Sequence, residues 1–151
     1  EGGVIVNVSS FAATVVPTQE TIYAASKGAL NGFTRGLWND LAGSGIHCVL
    51  VIPGPIDTEI WDKLDDENAY RGTRYPAQLV ADEILFAIAK RRFEVTVPRR
   101  NPQLVTARLL ATLIPALIRK GVARTNPVAP QVVRDAIARA RAGLPLGSSR
   151  S

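Results

Sequence analysis

Ser10, Tyr23 and Lys27 are the residues of this chain whose types and spacing could move a proton. An apolar run, Val4–Val8, ends in Ser9-Ser10; twelve residues then separate Ser10 from Tyr23, and Lys27 follows four later. Side chains at i and i+4 leave the same face of a helix. A free phenol titrates near about 10 and is a poor base at neutral pH, but a neighbouring ammonium favours the phenolate. A serine hydroxyl holding a substrate oxygen against that phenol would complete a general acid/base for interconverting an alcohol and a carbonyl. A Tyr/Lys pair at this spacing also occurs on ordinary helix surfaces, so the elements that carry it must decide.

Those elements alternate. Val4–Val8 barely alternates in polarity and is expected to be a buried parallel strand. Residues 9–21 are small and polar with Pro17, hence a loop. Residues 21–42 repeat Ala24, Ala25, Ala29, Leu30, Phe33, Leu37 and Leu41 at helical spacing, and Gly43-Ser44-Gly45 ends that helix. Gly28, Gly32 and Gly36 lie four apart; each costs the helix about 1 kcal/mol relative to Ala, and a close approach of another element would offset that. Residues 46–52 form a second buried strand containing His47 and Cys48, both assigned to packing, and Pro53-Gly54-Pro55 stops it. After an acidic loop with one short turn at residues 61–64, Pro76 opens a helix to about Lys90, with Leu79, Val80, Ile84, Leu85 and Ile88 apolar. Residues 93–97 are a third strand closed by Pro98.

This β-α-β-loop-α-β order implies an α/β fold with a parallel sheet. Ligands of such sheets bind outside the carboxyl ends of the strands. Ser9-Ser10 and the segment Pro53-Gly54-Pro55-Ile56-Asp57-Thr58 both fall at such ends.

The strand ending Asn7-Val8-Ser9-Ser10, the twelve-residue gap, Tyr23-Ala24-Ala25-Ser26-Lys27, the following Gly28-Ala29-Leu30 and the Pro-Gly-Pro-Ile-Asp-Thr strand end together resemble the short-chain dehydrogenase/reductase family over residues 2–98. The resemblance implies the C-terminal part of a Rossmann-like, doubly wound parallel sheet, about three parallel strands with helices, plus C-terminal helices. It implies an oxidoreductase using NADP or NAD, with no metal. By position, Ser10 matches the family's substrate-orienting serine and Tyr23 its acid/base. Lys27 matches the lysine that assists the tyrosine and binds the nicotinamide ribose. Pro53, Gly54, Ile56 and Thr58 match the segment along the nicotinamide, with the Ile56 backbone and Thr58 hydroxyl on the carboxamide; Ser9 braces the loop and Ser26 packs. The family's glycine-rich turn, its cofactor-selecting residue, its Asn-Ala-Gly strand end and its catalytic asparagine have no counterpart in these residues, and Gly2-Gly3 precedes a strand instead of linking strand to helix. With Glu1 at its start and no Met, the chain reads as the C-terminal portion of something longer, expected to bind dinucleotide poorly in isolation. The edge of Val4–Val8 would then be exposed.

Composition agrees with a globular domain. Hydrophobic residues make up 46% and charged residues 21% of 151, which excludes global disorder. One cysteine and one histidine exclude a disulfide framework and a Cys or multi-His metal site. No secretory signal is visible, and a cytoplasmic setting is expected. The net charge of +5 is unevenly placed: residues 1–89 hold five Lys/Arg and eleven Asp/Glu, residues 90–151 thirteen and two. Residues 99–142 read as a helical extension to a catalytic unit at 1–98, with a flexible tail at 143–151. Within it, residues 103–120 form a helix that Pro115 kinks or ends, and 131–141 a second, basic helix. The uncharged run from Leu109 to Ile118 is too short to span a bilayer, which takes about 20 residues. It packs as a cap on the substrate pocket or lies in a membrane interface, for which Leu110 and Leu113 are the test positions. Nucleic acid is disfavoured, because no aromatic residue interleaves the basic helices. Between Thr58 and Pro76, Trp61 and Leu64 are candidate lid contacts; Asp62, Asp65, Asp66 and Glu67 read as a solvated face.

Two functions follow. One is NAD(P)-dependent interconversion of a secondary alcohol and a carbonyl on a small, even lipid-like, substrate, with a homo-oligomer as the full-length form. The other is a catalytically incompetent fragment that binds lipid or membrane surfaces through its basic amphipathic helices.

Overall fold

The computed structural model describes residues 2–18, 20–59, 61, 72–125 and 130–143. A three-stranded sheet forms its centre: β1 (Val4–Val8), β2 (His47–Pro53) and β5 (Glu94–Val97), in the order β1-β2-β5 and parallel throughout. α1 (Thr21–Asp40) joins the first two strands and α2 (Ala77–Ala89) precedes the third. All seven residues of β2 are buried. That placement explains its run of apolar side chains, because a central parallel strand is covered on both faces.

Register separates the two faces. Val6, Val49 and Val51 lie on one, with Val95 and Val97 of β5. Ala87 of α2 is fully buried in this cluster, and Leu79, Val80, Ile84 and Ile88 of the same helix pack against it. Each fully buried valine there contributes about 1.5–3 kcal/mol. The opposite face carries Asn7, Leu50 and Glu94, in register across all three strands. Two of these reach α1: Asn7 Nδ2 donates to Thr34 Oγ1 at 3.0 Å, and Arg35 pairs with Glu94 at 3.1 Å. Further along, Trp38 Nε1 donates to the Cys48 carbonyl at 3.1 Å. His47 and Cys48 are buried, and the His47 ring packs 5.2 Å from Phe93 while Nε2 meets the Arg92 carbonyl at 3.1 Å. Both therefore serve packing.

Two expectations change. β1 is not a buried strand: Val4 and Val8 are 46% and 39% exposed, and of β1 only Val6 packs against the buried core cluster among the described residues. The glycine row of α1 meets no partner either: a Cβ on Gly28, Gly32 or Gly36 would find nothing within 4 Å. The close approach lies elsewhere, between Gly2 and Gly45, where a Cβ on Gly2 would fall 2.5 Å from the Gly45 carbonyl oxygen. Gly45 itself sits at φ 81°, a backbone region that side-chain-bearing residues avoid.

Beyond β2 the chain makes a small parallel ladder that the sequence pattern does not announce: β3 (Ile56–Asp57) with β4 (Tyr75–Pro76). The acidic residues Asp62, Asp65, Asp66 and Glu67, and Leu64, lie outside the described residues. The C-terminal stretch divides at Pro115 into α3 (Pro102–Leu113) and α4 (Pro115–Thr125), followed by α5 (Pro130–Arg141). Asn101 caps α3, its Oδ1 accepting from Gln103 N at 2.8 Å and its Nδ2 donating to Tyr75 Oη at 2.7 Å. α3 is thereby tied to β4. It is also tied to the sheet, through Arg108 and Glu94 at 2.6 Å.

Candidate active site

Ser10 and Gly54 sit where β1 and β2 leave the sheet. Ser9 N donates to the Val51 carbonyl at 2.8 Å and Gly54 N to the Val97 carbonyl at 2.8 Å, so each ladder continues one bond past its strand. Ser10 and Gly54 thus step off the carboxyl ends of adjacent strands. Ser10 has extended backbone, and its Oγ accepts from Ala12 N at 3.1 Å, capping the 3-10 turn Phe11–Ala13. A hydroxyl carries one donor and two acceptor positions. That bond uses an acceptor and leaves the O–H to donate.

α1 brings Tyr23 and Lys27 to the same edge. The helix is docked on the two residues that precede Ser10. Buried Ser9 donates its Oγ to the Lys27 carbonyl at 3.0 Å, and Lys27 Nζ donates to the Val8 carbonyl at 3.1 Å. The ammonium, fixed on the last residue of β1, stands 5.7 Å from the Tyr23 ring centroid, within the range of cation–π attraction. An ammonium has three donors, so two remain for a ligand. Tyr23 is 38% exposed. Ser26 Oγ donates back to the Tyr23 carbonyl at 2.7 Å. At the start of α1, burial pushes the Glu20 carboxyl above its usual range.

The second wall follows β2. Pro53 is buried, Gly54 and Ile56 are half-buried and Thr58 is exposed. Gly54 lies so near α3 that a Cβ there would meet Leu104 Cδ1 at 3.1 Å and the Val97 carbonyl oxygen at 3.2 Å. Trp61 fastens the next turn: its indole donates to the Ile56 carbonyl and its backbone N–H to the Thr58 carbonyl. The Arg74 guanidinium lies 4.7 Å from the Trp61 ring centroid and 3.7 Å from Asp57. Among the described residues no hydrogen bond joins this segment to Tyr23 or Lys27. Asn7 and Thr34, the pair that seats α1 on β1, are not evident from sequence; the only signal is Asn7 opening the strand-end motif.

Comparison with known proteins gives a consistent picture. Residues 1–69 match the short chain dehydrogenase family profile. The mouse (Mus musculus) 15-hydroxyprostaglandin dehydrogenase [NAD(+)] is 36% identical over 84 residues, 54% of this chain and 31% of that protein. The 2-(R)-hydroxypropyl-CoM dehydrogenase of Xanthobacter autotrophicus is 38% identical over 93 residues, 56% of this chain and 37% of that one. A short chain dehydrogenase/reductase from Burkholderia phymatum, solved in complex with NAD, aligns at TM-score 0.61 and 28% identity over 86% of this chain and 52% of that structure. The matched segments thus span about a third of the curated relatives and about half of the solved structure.

Proposed function

We propose that this chain, whose residues 1–69 match the short chain dehydrogenase profile, is the part of a short-chain dehydrogenase/reductase that supplies the proton-handling site of an NAD- or NADP-dependent interconversion of a secondary alcohol and a carbonyl. The observation that carries this is the Lys27 ammonium, held on the Val8 carbonyl at 3.1 Å and standing 5.7 Å from the Tyr23 ring. The relatives named for hydroxyl-bearing substrates support the same class of chemistry.

The residues present suit the nicotinamide half of a dinucleotide. Two free ammonium donors on Lys27 would hold ribose hydroxyls, and the Pro53–Thr58 segment, with its exposed Thr58 hydroxyl, would lie along the carboxamide. Among the described residues no glycine-rich turn joins a strand to a helix, so nothing described cradles the pyrophosphate. The bound nicotinamide supplies or accepts the hydride. The rest falls to side chains. Ser10 donates its O–H to the substrate oxygen and orients it. Tyr23 gives the proton to that oxygen during reduction and takes it during oxidation. Lys27 stabilises the charge that appears on the phenol when the proton has left.

The test is turnover of small ketones and secondary alcohols with NADH, NADPH and their oxidised forms, followed by nicotinamide absorbance. Tyr23→Phe lowers the rate by about 10²–10⁴-fold while circular dichroism is unchanged. Parental turnover in Tyr23→Phe refutes the assignment.

A further inference from the structure

We propose that the apolar ridge at the α3–α4 junction is a docking surface for an anionic lipid bilayer. Val105, Leu109 and Leu113 recur four apart on α3 with rising exposure, 50%, 56% and 74%. Ile114 and Leu117 extend the row into α4 at 51% and 50%. Leu110, by contrast, is half-buried. Five large exposed apolar side chains within residues 105–117 are more than a solvated helix surface carries by chance. A groove of about 260 Å³ lined by Thr96, Leu104, Leu109 and Leu113 continues the apolar surface toward the sheet.

Charge identifies the occupant. Between Glu94 and Asp135 the sequence holds seven Lys/Arg (Arg99, Arg100, Arg108, Arg119, Lys120, Arg124 and Arg134) and no acid. Arg99 and Arg108 are spent on Glu83 and Glu94. Arg119, Lys120 and Arg124 follow the ridge directly, are exposed and form no ion pair among the described residues. Apolar side chains beside unpaired bases match an interface where acyl chains meet anionic headgroups. No helix among the described residues is long and apolar enough to cross a membrane, so the contact is peripheral. The docking surface does not depend on the chemistry assigned to Tyr23.

The experiment is co-sedimentation of the full chain with sucrose-loaded vesicles, either pure phosphatidylcholine or phosphatidylcholine with phosphatidylglycerol. Binding is expected to the anionic vesicles only and to weaken from about 50 to about 300 mM salt, since exposed charges are screened. Leu113→Asp is expected to lower partitioning at least tenfold. The double variant Arg119→Glu/Lys120→Glu is expected to lower it by about 25-fold or more, from about fivefold per base near the surface. Leu109→Gln serves as a milder second variant, and circular dichroism confirms folding in each. Tyr23→Phe is expected to bind vesicles as the parent does, which separates this surface from the active-site assignment. Equal binding to neutral vesicles, no binding, or binding unchanged in Leu113→Asp overturns the proposal. A concentration-dependent dimer that Leu113→Asp dissolves also overturns it, because a second copy then covers the ridge.

Discussion

Thr34→Val tests whether α1, and with it Tyr23 and Lys27, is seated by one hydroxyl. Thr34 is fully buried, and its Oγ1 accepts from Asn7 Nδ2 at 3.0 Å while donating to the Leu30 carbonyl at 2.8 Å. Valine keeps the shape and nearly the same helix propensity, so the change isolates the hydroxyl. The Leu30 carbonyl is a helix acceptor, and its loss is small. The Asn7 amide is different: it is half-buried and left without that acceptor. An orphaned buried donor costs about 1–3 kcal/mol, and the half-buried position argues for the lower part of that range. The added methyl returns up to about 0.8 kcal/mol. The net expectation is a loss of about 0.2–1.5 kcal/mol, or up to about 6 °C in Tm for a chain of this size. Urea unfolding should move the midpoint and leave the slope unchanged. The double-mutant cycle with Asn7→Ala should give a coupling of about 0.5–1.5 kcal/mol. Full additivity, or a Thr34→Val protein as stable as its parent, would show that packing alone seats the helix.

Four further predictions concern other parts of the molecule. Burial raises the Glu20 carboxyl in the folded state, so the folded state holds more protons, and stability falls as pH rises from the unfolded value through the folded one; Glu20→Gln should therefore be more stable than the parent at about pH 7 and nearly equal to it at about pH 4, and a flat difference across that range would refute the assignment. Gly2→Ala should lower the Tm measurably, because its Cβ would lie 2.5 Å from the backbone oxygen of Gly45 and the backbone leading into β1 or β2 must shift; an unchanged Tm would mean that these two glycines do not hold the strand starts together. Lys27→Met should leave the fold intact and reduce both turnover and nicotinamide binding, and parental affinity in a titration with NADH would remove Lys27 from the ribose. Glu94→Ala frees Arg35 and Arg108 together; α3 should become more sensitive to limited proteolysis while global stability drops by no more than about 1 kcal/mol, since the arginines are partly exposed.

The sheet was legible because β2 is covered on both faces and its apolar run says so directly. His47 and Cys48 inside that run could be assigned to packing on the same ground, and both are buried. β1 has a similar composition but is half-exposed, because burial depends on what packs against a strand and not only on its residues. The glycine row of α1 misled in the same way: four-residue spacing records a smooth face but cannot say whether anything lies on it. Pro115 ended α3 where a missing amide would break a helix, whereas the Asn101 cap, which starts that helix at Pro102, gave no periodic signal. β3 and β4 had no chance of being read, since two-residue strands have no period and are held by backbone bonds such as Tyr75 N to the Pro55 carbonyl at 2.9 Å. At the site, the i, i+4 relation of Tyr23 and Lys27 follows from helix geometry alone. The Asn7–Thr34 bond joins residues 27 apart, and such a pairing exists only once the helix lies on the strand.

The central position of β2 also sets an order of assembly. β1, α1 and β2 are complete within the first 53 residues, while β5 has no described strand neighbour other than β2. The first unit can close on contacts already synthesised, and α2 and β5 can only add to it afterwards. Since both strand pairings of this sheet among the described residues pass through β2, its amides should be the last to exchange with solvent, opening only when the whole sheet does. The strand ends bearing Ser10 and Gly54 are thus anchored in the slowest-opening part of the molecule, with their side chains free beyond it.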